Sequence, residues 1–410
     1  MKEMPDSKMI GAVMFALMLL LNLPCHAGTG TQSDEKAVIK SYNETALQLY
    51  QNLAGKNAKN IVISPYSVGT AMAMALSGAR GSTEVEMKAA LNQTLSRESM
   101  DTANQKLLEK MNRFQGASGE VLSIANALCL TTDSALVHRD YKELLKSKYH
   151  AEVFDAPDVG PINQWVSGKT KGKIEKILEK LSANSVCVLL NAVYFKGIWA
   201  TQFDKKKTQP KPFQTASGEA VSVPMMRQKT SYTRTQREDF AALSMPYKTA
   251  SLEMILILPN EKDGLPKVEK TLSMQALQSV VDDLGKSKPA EVTLSLPRFK
   301  ASSGASLIPP FQAMGMKLAF SASAADFGGI TGRSNALGLI WIAQIQHKAC
   351  LDVNEEGSEA AAVTAVEFAT KSAPLFAEFR VDHPFCFLLV DKETGAILFM
   401  GRVNNPLETN

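Results

Sequence analysis

The feature that most limits the fold of this chain is an apolar run at residues 186–195. Apart from Asn191 it holds no polar residue, and polar residues bound it on both sides. A strand with one solvated face alternates apolar and polar residues, whereas a strand buried on both faces is apolar at successive positions. We therefore expect a strand in the middle of a sheet that is covered on both sides.

Helical and strand patterns are unevenly distributed along the chain. Over residues 33–53 apolar residues step by three and four, which predicts an amphipathic helix, and the small apolar residues 68–77 predict a helix buried on all sides. Further helices are predicted from 82 and over 100–114, 141–149, 162–178, 267–284 and 307–314, and strands over 61–64, 121–131, 186–195, 222–226, 241–247, 252–258, 292–299, 343–353, 385–390 and 396–403. Helices dominate the first half and strands the second, without a repeat or a linker, so we expect one α+β domain.

The first residues have a different composition from the rest. Lys2 and Lys8 precede an apolar run at 9–21, and Cys25-His26-Ala27 places small residues at the two positions that a signal peptidase reads. This pattern predicts a secretory signal peptide at 1–27 and a mature domain at 28–410, with an uncleaved anchor as the alternative. No retention tetrapeptide ends the chain, so we expect a secreted, extracellular protein.

The charge of the chain does not point to a particular class of binding partner. The formal net charge is +4, and 45% of the residues are hydrophobic, which is typical of a globular protein. We expect no nucleic-acid partner, no membrane partner and a monomeric chain. The basic cluster of Lys205, Lys206, Lys207 and Lys211 is interpreted as a solvated turn.

Four cysteines follow the signal peptide, Cys129, Cys187, Cys350 and Cys386. Each lies in an apolar, strand-like run without the spacing of metal ligands, so buried free thiols are expected, although two disulfides are also possible. Asn43 and Asn92 begin glycosylation sequons.

Motifs for enzymatic chemistry are missing from the sequence. It contains no Gly-x-Ser-x-Gly elbow, phosphate-binding glycine loop, Cys-x-x-Cys pair or His-Glu-x-x-His helix. The four histidines beyond the signal peptide, His138, His150, His347 and His383, lie in no recognised metal or nucleophile context. We therefore expect neither a metal site nor a catalytic residue, and an interaction function instead of an enzyme.

The stretch 354–380 has no helical or strand period of its own. It begins with acidic residues around Gly357, continues through Ala360, Ala361 and Ala362, and then holds a mixed run with one Lys-Ser bond and a proline. The question that this pattern raises is why a long, accessible-looking loop should begin with side chains small enough to slip between two neighbours.

This chain closely resembles the serpin family over essentially all of the mature sequence, because many short sequence motifs of that family occur in it in the same order. They are NIVISPYSV at 60–68, GARGST at 78–83, INQWV at 162–166, TKGKI at 170–174, LNAVYFKGIW at 190–199, LSLPRF at 294–299, MGM at 314–316, DFGGI at 326–330, HKA at 347–349, DHPF at 382–385 and LFMGRV at 398–403. The resemblance implies an α+β fold of three β-sheets with eight or nine helices and an exposed reactive-centre loop at about 355–380.

The function implied by the resemblance is suicide inhibition of a serine protease. A protease cleaves the loop as a substrate, and the loop then inserts into the large sheet and distorts the attached enzyme. In the family, the residue that enters the primary specificity pocket of the protease usually lies fourteen residues after the hinge glycine. Counted from Gly357, that residue is Lys371, which is followed by Ser372. A lysine there predicts trypsin-like targets.

Further positions match the family residue by residue. The matching hinge residues are Glu355, Gly357, Ser358, Glu359, Ala360, Ala361 and Ala362. Arg298 and Trp199 match the breach at the top of the large sheet, where Arg298 would bridge to Glu355, and Ser64, Ser67, Asn191 and His347 match the shutter cluster beneath its centre. Val363 is bulkier than the family's usual residue, which predicts slower insertion.

Two alternatives stay open at this stage. Lys106, Lys110 and Arg113 are spaced as in relatives that bind heparin, so a glycosaminoglycan cofactor is possible although Glu109 interrupts them. The chain could also be a non-inhibitory serpin that acts as a carrier or chaperone. Such relatives carry bulky, charged or Pro residues at the hinge positions where this chain has Ser358 and the alanines.

Overall fold

The computed structural model describes residues 31–55, 59–114, 121–131, 134–181, 186–334, 336–358 and 377–408. The predicted signal peptide and the predicted loop residues 359–376, with Lys371 and Ser372, lie outside these ranges.

Six of the ten α-helices in the described residues begin at a residue whose side chain accepts a capping hydrogen bond. Thr31 forms a capping box with Asp34 at the start of the first helix, and Ser64 accepts a hydrogen bond from the Ser67 N–H at the start of the second. The helices are α1 (Gln32–Ala54), α2 (Pro65–Gly78), α3 (Gly81–Ala90), α4 (Arg97–Met111), α5 (Arg139–Tyr149), α6 (Val159–Lys169), α7 (Leu265–Thr271), α8 (Met274–Lys286), α9 (Ile308–Ala313) and α10 (Gly328–Thr331). All residues of α2 are buried, as its composition predicted.

The strands are β1 (Ile61–Ile63), β2 (Val121–Leu130), β3 (Glu152–Asp155), β4 (Cys187–Ile198), β5 (Gln209–Gln214), β6 (Ala220–Gln236), β7 (Phe240–Pro246), β8 (Leu252–Pro259), β9 (Ala290–Pro297), β10 (Phe299–Ser306), β11 (Ile342–Val353), β12 (Gly357–Ser358), β13 (Ala377–Arg380), β14 (Phe385–Asp391) and β15 (Ala396–Val403). They form two sheets. The central sheet has the order β10-β11-β4-β2-β3 with β12 paired to β4, and the second has the order β1-β15-β14-β8-β7-β6-β9-β13 with β5 paired to β6.

The strand β4 lies at the middle of the central sheet and is covered on both faces. Phe195 and other odd-numbered residues pack into the main core, which includes α2 and the second sheet. Ala192, of even number, packs against Val166 of α6 and Ile174 on the opposite side. The prediction of a strand buried on both faces is therefore confirmed.

The α+β class is confirmed, but the numbers of sheets and helices differ from those that the resemblance implied. The described residues form two continuous sheets and ten α-helices instead of three sheets and eight or nine helices. Two of the three expected sheets are joined because β6 is 17 residues long: residues 220–232 pair with β5 or β9, and residues 233–236 pair with β7. Short helices such as the four-residue α10 raise the helix count.

Two predicted helices were too long. The helix predicted over 162–178 ends at Lys169, because Lys171 and Gly172 adopt positive φ angles of 53° and 76°. The helix predicted over 267–284 is two helices, since Leu272 is extended and the Ser273 side chain caps α8.

Several strands were not predicted because their sequence patterns are weak. The strand β5 is exposed at most positions and contains two prolines, which a strand tolerates at the edge of a sheet. The strand β10, with the sequence FKASSGAS, is rich in small polar residues and lies at the end of the central sheet.

The structure also decides two open questions about side chains. The four cysteines Cys129, Cys187, Cys350 and Cys386 are all free and buried. Asn43 is 7% exposed, its amide group donates to the Gly395 carbonyl at 2.9 Å, and its oxygen accepts from the Ile397 N–H at 3.1 Å. The folded chain therefore does not offer Asn43 as a glycosylation acceptor, whereas Asn92 is only half-buried.

The buried thiols give a first prediction. Burial raises the pKa of Cys129 and of Cys386 to about 12, and it also raises the pKa of Cys187 and Cys350. Because the thiolate is the reactive form, we expect the native mature chain to react only slowly with Ellman's reagent. In guanidinium without a reductant all four thiols should react at once. If no thiol reacted in guanidinium, the cysteines would be disulfide-bonded and this prediction would be wrong.

Candidate functional site

The candidate site is the seam between β4 and β11 in the central sheet. These strands run parallel and pair from Cys187 with Ile342 to Tyr194 with Cys350. Beyond that last pair, β12 turns back and pairs antiparallel with β4, Gly357 with Ile198 and Ser358 with Gly197. An antiparallel strand can lie between two paired parallel strands only if those strands separate. The strand β12 already lies at one end of the β4–β11 seam.

A tight turn at residues 354–357, here called the hinge turn, reverses the chain between β11 and β12. The Asn354 N–H donates to the Gly357 carbonyl at 2.9 Å, and the Gly357 N–H donates to the Asn354 carbonyl at 3.3 Å. Gly357 has a φ of 146°, and a Cβ there would lie 2.0 Å from the Gly197 carbonyl oxygen. The hinge turn therefore requires glycine at this position.

The acid Glu355 is fixed inside the hinge turn by a cation. It is 2% exposed, and both of its carboxylate oxygens accept from Arg298 Nε at 2.7 Å, while Thr208 Oγ1 donates at 2.5 Å. Burial acts to raise the pKa of Glu355, but the hydrogen bonds from Arg298 and Thr208 outweigh it and hold the pKa below its ordinary value. The predicted contact between Arg298 and Glu355 is thus present, while its role in loop insertion stays a prediction.

The chain after β4 holds the backbone of the hinge turn. The Trp199 indole N–H donates to the Asn354 carbonyl at 2.9 Å, the Trp199 backbone N–H donates to the Glu356 carbonyl at 3.0 Å, and the Phe203 N–H donates to the Glu355 carbonyl at 2.8 Å. Trp199 was predicted for this region from the family match. The backbone donor of Phe203 was not, because a main-chain contact leaves no mark in the sequence.

The second acid of the hinge turn, Glu356, is also buried. It is 4% exposed and accepts from Lys205 at Oε1, while its Oε2 has no hydrogen-bond partner among the described residues. Lys205 belongs to the basic cluster interpreted as a solvated turn. That cluster is an exposed 3₁₀ helix, Lys205–Lys207, but one of its cations holds the hinge turn.

Ser358 and Tyr247 meet inside the seam. Ser358 is 0% exposed, and its hydroxyl lies 3.0 Å from the Tyr247 hydroxyl. The Tyr247 ring stacks on Trp199 with centroids 4.4 Å apart. Sequence reasoning missed Tyr247, since it directly follows β7 of the other sheet and only the fold brings it within reach of the hinge.

The predicted shutter residues lie together in a buried cluster that also includes Asn126. The Ser64 N–H donates to His347 Nε2 at 3.1 Å, so the other ring nitrogen, Nδ1, carries the proton and donates to Asn191 Oδ1 at 2.5 Å. The Asn191 amide group donates to Ser67 Oγ at 2.5 Å and to Asn126 Oδ1 at 2.6 Å. Because Asn191 lies on β4 and His347 lies opposite it on β11, one side-chain hydrogen bond spans the seam.

The remaining predicted residues fall in two groups. Glu359, Ala360, Ala361, Ala362, Lys371 and Ser372 lie outside the described residues. The candidate heparin contacts are engaged within the chain: Lys110 binds Glu35, and Arg113 binds Asp391 and Glu393. A glycosaminoglycan contact there stays a prediction, and these ion pairs would have to compete with it.

The described part of the chain contains neither a membrane-spanning helix nor a cluster of metal ligands. No helix there is both long and apolar enough to cross a membrane. No group of three or more His, Cys, Asp or Glu side chains in those ranges is placed to hold a metal ion.

Comparison with known proteins adds independent findings. Residues 40–406 match the family model described as serpin (serine protease inhibitor). The chain is 34% identical to Iripin-8 of Ixodes ricinus, over 90% of this chain and 94% of that protein, and 36% identical to Intracellular coagulation inhibitor 2 of Tachypleus tridentatus, over 88% and 89%. A crystal structure of human thyroxine-binding globulin with thyroxine superposes with a TM-score of 0.81 at 28% identity, over 91% of this chain and 100% of that one.

The buried histidine gives a prediction about pH. Burial lowers the pKa of His347 to about 3, whereas in the unfolded chain it would be about 6.5. Between these values the unfolded state binds the extra proton, so the contribution of neutral His347 is full above about pH 6.5 and is lost as the pH falls toward 3. We expect the native chain to lose roughly 2 kcal/mol of stability between pH 6.5 and 5 from this group, at about 1.36 kcal/mol per pH unit.

The measurement is the urea midpoint of unfolding at several pH values. The variant His347→Gln keeps a donor and an acceptor but does not titrate, so its midpoint should depend less on pH in this window. The variant His150→Asn, at an exposed histidine, is the matched control and should behave like the unaltered chain. Equal pH dependence of the unaltered chain and His347→Gln would show that His347 is not held neutral.

Proposed function

The chain belongs to the serpin family, and from this premise we propose that it is a secreted inhibitor of trypsin-like serine proteases that acts as a suicide substrate. The observation that carries the proposal is the position of β12, whose Ser358 is buried at the end of the β4–β11 seam. The chain itself performs no catalysis in this proposal. Secretion rests on the pattern at residues 1–27 and remains part of the proposal.

The first step is an ordinary acylation by the protease. The catalytic serine hydroxyl of the protease attacks the carbonyl carbon of Lys371, and the bond to Ser372 breaks. The serine proton passes through the protease histidine to the new amino group of Ser372, and Lys371 stays joined to the enzyme as an ester. The side chain of Lys371 would bind the anionic primary pocket of a trypsin-like enzyme, which is why this target class is proposed.

The second step is insertion of the released arm into the seam. Serpin loop insertion is itself an established instance of strand addition to a sheet. Here β12 already runs antiparallel to β4, so the arm would extend in the same direction once β4 and β11 part. One parallel interface is exchanged for two antiparallel ones, whose hydrogen bonds are slightly more stable per residue.

Small side chains are needed along the arm because each alternate residue becomes buried under a covering layer. Overpacking a core costs roughly 1–3 kcal/mol per misfit. Ser358, Ala360 and Ala362 share one side of such a strand by their alternation, and none of them is large. This composition supports an inhibitor more than a carrier.

A carrier is the second candidate because a non-inhibitory relative has the same fold. The matched human protein is, by its name, a globulin that binds thyroxine. Loop cleavage separates the two functions: insertion should raise the melting temperature sharply, and a carrier without insertion should keep its melting temperature.

The proposal predicts the product of a protease panel. Incubation with trypsin should give a complex that resists SDS, with a released peptide that begins at Ser372, and elastase and chymotrypsin should give little or none. The variant Lys371→Ala should lose the complex with trypsin. If trypsin only cut the loop at every ratio tested, without a complex or a rise in melting temperature, inhibition would be rejected and the carrier would remain.

The buried hinge gives a second test of the mechanism. We expect Ser358→Arg to lower the yield of complex with trypsin by more than tenfold, because the closed space beside Tyr247 has no place for a charged side chain. Trypsin should still cleave after Lys371, so the variant becomes a substrate. Ser147→Arg, at an exposed position of α5, is the matched control and should inhibit like the unaltered chain. Full inhibition by Ser358→Arg would contradict insertion at this seam.

A further inference from the structure

A groove of about 340 Å³ opens on the part of the second sheet formed by β5, β6, β9 and β13. Its lining includes the cations Lys207, Lys211, Arg227 and Arg380 and the acids Glu378 and Asp382. None of these groups takes part in the hinge turn or in the polar cluster of the seam. We call this lining the cationic groove.

Strand register explains why cations from three strands share one face. Arg227 on β6 lies opposite Ser295 on β9, and Ser295 lies opposite Arg380 on β13. Residues that oppose each other point to the same face, so the two arginines lie roughly 10 Å apart across two strand spacings. Lys211 on β5 lies opposite Val223, an even number of residues from Arg227, and therefore points to the same face.

Two of the four cations in this lining have no carboxylate partner in the described structure. Arg380 binds Glu378 at 2.8 Å, and Asp382 binds His383 at 2.8 Å. Lys211 and Arg227 are both exposed, and neither has a carboxylate partner among the described residues. The cationic groove thus offers Lys211 and Arg227 as cations without a carboxylate partner, while Glu378 and Asp382 already have hydrogen-bond partners.

The cationic groove adjoins the point where the predicted loop rejoins the fold. The strand β13 begins at Ala377, six residues after Lys371. Six residues span at most roughly 20 Å, and a small domain is about 30 Å across. A protease engaged at Lys371 therefore has part of its surface within reach of this groove.

We propose that the cationic groove docks an acidic surface patch of the target protease, next to the loop that occupies the protease's active site. This inference rests on the proposed inhibitory function and adds a second determinant of target choice. Opposite charges across an interface act mainly on the association rate and on specificity. A sulfated polysaccharide fits less well, since Glu378 and Asp382 interrupt the cations and would repel a continuous polyanion.

The experiment uses the full mature chain with two trypsins that share a primary specificity but differ in surface charge, anionic and cationic trypsin. The test variant is K211E/R227E. Its matched control is R139E/K146E, which changes the same residue types at exposed positions of α5. Both variants change the net charge equally, so a difference between them reports position.

We expect K211E/R227E to slow attack by anionic trypsin about tenfold at an ionic strength of about 0.05 M, within the usual range of electrostatic steering. The control should change this rate less than twofold, and cationic trypsin should not discriminate against K211E/R227E. At about 0.5 M salt the difference should nearly vanish, because the screening length falls to about 4 Å.

Two readouts keep this proposal separate from inhibition. The rate of loop cleavage is measurable even if the chain proves to be a substrate without complex formation. Binding to anionic trypsin whose catalytic serine is replaced by alanine needs no chemistry at all, and it should weaken in K211E/R227E only. Equal rates and equal binding for the two variants would overturn the docking surface whatever the outcome for inhibition. Loss of heparin affinity alone, with protease binding unchanged, would overturn it in favour of a polysaccharide.

Discussion

The parallel pairing of β4 with β11 is the interaction on which the rest of the structure depends. It joins the two strands over eight residue pairs, and it lies at the middle of a sheet whose other central contact, β4 with β2, is antiparallel over ten pairs. Parallel hydrogen bonds are slanted and slightly weaker per residue, so the seam is the weaker side of β4. The helix α2 packs beneath this strand and α6 above it, which means that any opening must be accommodated by both layers.

The polar side chains at the seam limit the number of side-chain hydrogen bonds that are lost when it opens. Here Asn191 has acceptors on α2 and β2, namely Ser67 and Asn126, in addition to His347 across the seam. When β11 moves away, Asn191 keeps two partners on the side that stays, so of its side-chain hydrogen bonds only the one to His347 is lost. The same redundancy holds the hinge turn, whose carbonyl groups are bound by Trp199 and Phe203 while Arg298 neutralises Glu355.

The sequence predicted the strands of this arrangement better than the side-chain contacts between them. Burial of β4 on both faces followed from one apolar run. Asn191 within that run indicated a buried hydrogen-bonded cluster, because a polar side chain in a strand that is buried on both faces needs partners. Which partners it has was known only through the family match, since Ser67 and His347 are 124 and 156 residues away. Tyr247 and Lys205 were missed for the same reason. Predicted helix boundaries were wrong where a single side chain determines them, as Ser273 does by capping the start of α8. The strand β10 was not predicted because its small polar residues show no strand pattern.

The register of β12 bears on the one residue that the family comparison made doubtful, Val363. Ser358 lies opposite Gly197, so an arm inserted in the same antiparallel register would bring Glu359 opposite Lys196, an opposite-charge pair of the kind that stabilises neighbouring strands by about 0.2–1 kcal/mol. Val363 would then lie opposite Ala192, on the face that α6 covers and not on the face of Phe195 and Tyr247.

The partner of Val363 in that register is the smallest side chain available to it. Ala192 packs with Val166, Ile174 and Cys350, a layer in which α6 ends nearby at Lys169 and is followed by an irregular segment with positive φ angles. Because Ala192 is small and the covering layer is not a continuous helix, a branched residue opposite Ala192 would have space, whereas two large side chains there would overpack. The same valine opposite Val193, one residue out of register, would face the dense core around α2. If the arm inserts as proposed, we therefore expect the bulk of Val363 to favour one register of insertion more than it obstructs insertion.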